Sequence, residues 1–190
     1  MIISDLKIGA AYRKGEGKSD SIPSTIDVNM ITNIGVILDH EADAPKDSFL
    51  KWQEELGIPD RDFTILTCKD KRLKTDVFEG LVFTMQDLGW NGKIKNGEVE
   101  EFLKRPFDVL VSFTKHDNKL AALLVSLSHA RLKVGRNTEK YSDMFDLMIS
   151  TDADEAAVFL KELKKYLQYL IKQHNEQIHR HGSSFDHSFY

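Results

Sequence analysis

The sequence predicts an α/β fold: a three-layer, Rossmann-like sandwich around a mostly parallel sheet, with a long C-terminal helix. Three observations predict it. Short apolar runs alternate with segments of helical period through most of the chain. The runs "NIGVILD" (33–39) and "FDVLVSF" (107–113) are almost unbroken in apolar character, the pattern of strands buried on both faces. Ala156, Phe159, Leu160, Leu163, Tyr166, Leu167, Leu170 and Ile171 form one apolar stripe at helical spacing. Strand and helix in alternation place helices on both faces of a parallel sheet.

The organisation predicted is an N-terminal arm (1–30), a single α/β domain (31–178) and a C-terminal tail (179–190). The arm holds "RKGEGKSDSIPS" (13–24), rich in Gly, Ser and charge, which reads as a loop. After the first strand, "KDSFLKWQEELG" (46–57) predicts a helix with Phe49, Trp52 and Leu56 inward and Gly57 as its stop. "FTILTC" (63–68) is the next strand, which completes a βαβ unit and implies a parallel pair. "DVFEGLVFTMQD" (76–87) alternates weakly and reads as an outer strand with a broken start. "DLGWNGKIKNGE" (87–98) is a turn-rich excursion, and "GEVEEFLKRP" (97–106) a short helix stopped by Pro106.

The core half follows. "FDVLVSF" is a buried strand, and "NKLAALLVSLSHA" (118–130) a helix too apolar for an open surface. "RLKVG" (131–135) and "FDLMIS" (145–150) are further strands, with Gly135-Arg136 read as a turn between them. The last helix is predicted over about 153–177, with Thr151 and Asp154 resembling a capping box.

Composition narrows function. A formal net charge of −4 argues against non-specific nucleic-acid binding over the whole surface. No run approaches the roughly 20 apolar residues of a membrane helix, so no membrane insertion is expected. The start lacks a basic segment ahead of its apolar residues and makes a poor secretory signal. The single cysteine, Cys68, has no internal disulfide partner, which fits a reducing cytoplasm.

Ligands of parallel sheets bind where strands end and loops begin. Asp39, His40, His116, Gly135 and Arg136 stand at such ends and are the candidate ligand-binding residues. Arg136 is suited to a phosphate or carboxylate. Neither G-x-G-x-x-G nor G-x-x-x-x-G-K-[ST] occurs. "GEGK" (15–18) follows no apolar strand and reads as a loop, and Gly135 reads as a scaffold corner. Cys68 is a nucleophile only with a histidine beside it; a small buried residue at a strand end is the plainer reading. His174, His179, His181 and His187 lack the i, i+4 spacing of ligands on one helix face, so no structural metal, no cofactor and no catalytic residue is expected. Phe185, Phe189 and Tyr190 crowd the C-terminus and Trp90 marks the excursion; these are the candidate partner-binding residues.

Two resemblances accompany these readings. "NIGVILD…F…LGI…FTILT", with "GWNGKI" and "FDLMI", resembles an uncharacterised bacterial domain-of-unknown-function family across most of residues 30–170. "DVLVSFTKHDNKLAALLVSLSHARLKVGR" (108–136) resembles the acceptor-side half of heptosyltransferase-type glycosyltransferases. That resemblance implies half of a two-domain architecture without its donor site, and no catalytic residue carries over from it.

The leading expectation is therefore a non-catalytic cytoplasmic accessory or scaffold domain, a component of a larger complex, with the tail as a contact element. The first alternative is a small enzyme or sensor that binds a nucleotide or sugar phosphate at the strand-end crevice. The second is an RNA- or ribosome-associated factor using the lysines of "GKIKNGEVEEFLKR" and "KVGR".

Overall fold

The computed structural model describes residues 31–39, 43–70, 80–115, 117–137, 140–151 and 155–182, with side chains for all of these except 43–44 and 170–182. The elements, in chain order, are β1 (Ile34–Asp39), α1 (Asp43–Leu56), β2 (Phe63–Lys69), β3 (Leu81–Thr84), α2 (Gly97–Lys104), β4 (Val109–Phe113), α3 (Lys119–Leu127), β5 (Leu132–Arg136), β6 (Leu147–Ile149) and α4 (Ala156–Gly182). Residues 1–30 and the tail from 183 lie outside the described residues, as does Asp154 of the expected capping box.

The six strands form one sheet in the order β3-β2-β1-β4-β5-β6. Every strand pair is parallel, so the sheet is more uniform than the mostly parallel one expected. Strand period two divides the core. Ile34, Val36 and Leu38 of β1, with Val109, Val111 and Phe113 of β4, pack under α1 and α4. Ile37, Leu66, Cys68, Phe83 and Leu110 face α2 and α3. Residues on both faces of β1 and β4 are buried, which is why those strands read as continuous apolar runs.

Local signals place the helix ends. Gly57 takes φ +66°, a left-handed conformation that stops α1. Asn96 accepts from the backbone N–H groups of Glu98 and Val99, and Asn118 from Ala121 at 2.9 Å, capping α2 and α3. Two side chains depart from the expected stripes. Leu56 is 39% exposed and Tyr166 45% exposed, because each helix turns past the edge of the surface it covers.

The strands are also pegged at their N-terminal ends. Asp108 accepts from Thr32 N–H at 2.9 Å, Thr32 Oγ1 at 3.2 Å and Asn33 N–H at 3.1 Å, tying β4 to the start of β1. Asp146 accepts from Lys133 N–H at 2.7 Å, tying β6 to β5. The Phe before each aspartate lies on a glycine of the strand so tied. A Cβ on Gly35 would come within 2.8 Å of Phe107, and one on Gly135 within 2.5 Å of Phe145. Gly135 is thus a strand residue, paired with Ser112 and Met148, and not the turn glycine expected. It is glycine because an aromatic ring occupies its side-chain space.

Candidate functional site

The strand order reverses between β1 and β4, the point at which sheets of this order bind ligands beyond the strand C-termini. Here the two strands are joined by a clasp. Asp39, at the end of β1, accepts from Lys115 N–H at 2.7 Å through Oδ2 and from the Asn118 side-chain amide through Oδ1. Asn118 simultaneously caps α3 through its own Oδ1. The carboxylate of Asp39 therefore bonds two loop donors across 76 and 79 residues of chain.

Beside the clasp, Ser112, Thr114, Lys115, Asn118, Arg136 and Tyr141 line a crevice of about 20 Å³, room for about one water. The Ser112 and Thr114 hydroxyls lie 3.4 Å apart. The Arg136 guanidinium stands 5.1 Å from the centre of the Phe113 ring, a cation–π contact. The fold thus brings Asp39 and Arg136 to the same edge of the sheet, while Gly135 lies beneath Phe145. His40 and His116 lie outside the described residues, as do Phe185, Phe189 and Tyr190. Asn118 was read only as the first residue of its helix; its capping role appears in the structure, and its bond to Asp39 has no signal in the sequence.

Cys68 is buried, and burial first, then the charges of Asp39 and Asp70, push its thiol well above the ordinary range. Such a thiol is a poor nucleophile. Among the described residues no group of His, Cys, Asp and Glu could hold a metal ion. Among them, too, no helix is long and apolar enough to cross a membrane. Lys133 and Arg136 are three apart on β5, so their side chains leave opposite faces of the sheet and form no common basic patch.

Trp90 has a different setting. Its segment is a closed hairpin: Leu88 and Ile94 form an antiparallel bridge, Gly89 N–H donates to Lys93 O at 2.8 Å, and Lys95 N–H to Asp87 O at 2.8 Å. Gly92 takes the φ of +72° that the tight turn requires. Asp87 in turn accepts from Thr84 N–H at 2.8 Å and Thr84 Oγ1 at 2.7 Å. Leu88 and Ile94 are buried, and Trp90 is left 65% exposed at the tip.

Residues 10–170 match a family of unknown function (DUF6913). The chain belongs to that family. No curated protein and no solved structure matches it. The family match runs through β1 to β6, the hairpin of Trp90 and the first half of α4, so both the clasp and the hairpin lie inside the DUF6913 unit.

Proposed function

We propose that this DUF6913 chain is a non-catalytic protein-interaction domain, a component of a larger complex, and that the Trp90 hairpin is its principal contact. The observation that carries the reading is a tryptophan 65% exposed on a hydrogen-bonded turn. A rigid, exposed Trp offers large apolar area at small entropic cost, the character of an interface hot spot. Phe185, Phe189 and Tyr190 are proposed as a second contact beyond the domain of residues 31–178. The chain is proposed to act in the reducing cytoplasm, where its single cysteine has no disulfide to form.

Three N-terminally tagged forms test this: the full chain, Trp90→Ala, and a chain ending at 181. Each is used to capture partners from lysate of the source cells, with quantitative mass spectrometry and a melting curve. A stoichiometric partner should be lost with Trp90→Ala while stability stays within about 0.5 kcal/mol. Equal capture by the full chain and Trp90→Ala would refute the contact. Loss with the shortened chain alone would transfer it to the tail.

A second reading is a sensor of a nucleotide or sugar phosphate at the crevice. It is supported by the strand order and by Arg136 and Lys115 along the crevice wall. Any such ligand must open the Asp39–Asn118 clasp, since the crevice is smaller than a phosphate. Melting-point shifts with phosphate, nucleotides and sugar phosphates, absent in Arg136→Ala, are the outcome this reading requires.

A further inference from the structure

Between α1 and α4 lies a groove of about 350 Å³, within the roughly 300–1,000 Å³ range of small-molecule sites. Its lining is a mixture with chemical sense: Trp52, Ala157 and Leu160 supply apolar surface, while Lys51, Lys161 and Lys164 set three cations against the one carboxylate of Glu55. Lys164 Nζ meets Glu55 at 2.5 Å, so that pair bridges the two helices. Lys161 makes no ion pair or hydrogen bond through its amine among the described residues. Trp52 is 2% exposed, and its indole N–H has no acceptor. A buried donor without an acceptor costs about 1–3 kcal/mol, and a tryptophan in a core normally finds a partner for it. A tryptophan whose buried donor lacks an acceptor and a lysine without an ion pair among the described residues thus belong to the wall of one groove that is mainly apolar and carries net positive charge.

We propose that the α1–α4 groove binds a small organic anion, an aromatic or aliphatic body bearing a carboxylate, that packs on Trp52 and places its charge at Lys161. The occupant is small because the volume suits one ring system and not an extended segment. It is anionic because the unpaired charge of the groove is positive.

The full ¹⁵N-labelled chain is titrated with 2-naphthoate, and the indole N–H signals are followed by NMR. The chain has two tryptophans, so Trp90→Phe assigns the Trp52 signal by elimination without touching the core. The Trp52 signal should move saturably. Lys161→Glu should weaken binding about tenfold, the loss of one charge-assisted contact. The neutral analogue 2-naphthalenemethanol should bind similarly weakly, and Ala157→Phe, which fills the groove from an exposed helix position, should abolish the shift. A Trp52 signal that stays still, or movement of Trp90 alone, overturns the site. Equal affinity for the carboxylate and the alcohol, or no loss with Lys161→Glu, overturns its anion selectivity and with it the proposal.

Discussion

The two edges of the sheet use the same residue type to opposite ends. At the N-terminal edge, Asp108 and Asp146 accept backbone N–H groups of neighbouring strands, and Phe107 and Phe145 cover the glycines beside them. At the C-terminal edge, Asp39 accepts one backbone N–H and one side-chain amide from the loop before α3. The first arrangement joins strand to strand with aromatic packing over the bond. The second joins a strand to a loop, with a water-sized crevice and Arg136 next to it. One edge is scaffold throughout. The other lies at the reversal of strand order and has its acidic group bonded internally.

The largest effect that tests this comparison is at Phe107. It is fully buried and its ring centre lies 4.9 Å from that of Phe102. Phe107→Ala should cost about 4 kcal/mol by urea unfolding. Phe145→Ala, at the partly buried second site, should cost less than half as much. Equal losses would mean that the two Phe-Asp pairs contribute alike despite their different depth.

The aspartates come next. Asp108→Ala removes the acceptor of four donors, three at Thr32 and Asn33 and a longer one from the Arg131 guanidinium, and should cost about 3 kcal/mol, whereas Asp39→Ala removes that of two and should cost about 1–2 kcal/mol. A larger loss at Asp39 would make the clasp, not the N-terminal peg, the main tie between β1 and β4.

The smallest effect concerns Lys133 at the N-terminal edge. Burial lowers its pKa, and Asp146 opposes the shift. A lysine with a depressed folded pKa destabilises the fold while it is charged in both states, and that penalty disappears as pH rises through the lysine range. Lys133→Met should therefore raise stability at neutral pH, with the gain fading near pH ~10. A gain independent of pH would assign the effect to packing instead of charge.

Much of the fold was legible from local patterns. The unbroken apolar runs at 33–39 and 107–113 became central strands because central strands of a parallel sheet are covered on both faces. Gly57 ended its helix as read. The crevice was only partly legible: Asp39 and Arg136 were placed at strand ends, but Asp39 could not be matched to a donor 79 residues away. Leu56 and Tyr166 satisfied the helical period and are nonetheless exposed, since periodicity names a face and not how far the neighbouring layer extends.

By itself the sequence determined the alternation of strand and helix and the stop of α1 at Gly57, because each depends on side chains within one turn or strand. Only the tertiary structure decided the strand order, the glycine beneath Phe145, the carboxylate clasp at the reversal point and the exposure of Trp90. Those depend on which distant segments meet, and the packing of the whole sheet settles that by excluding every other arrangement of its two buried faces.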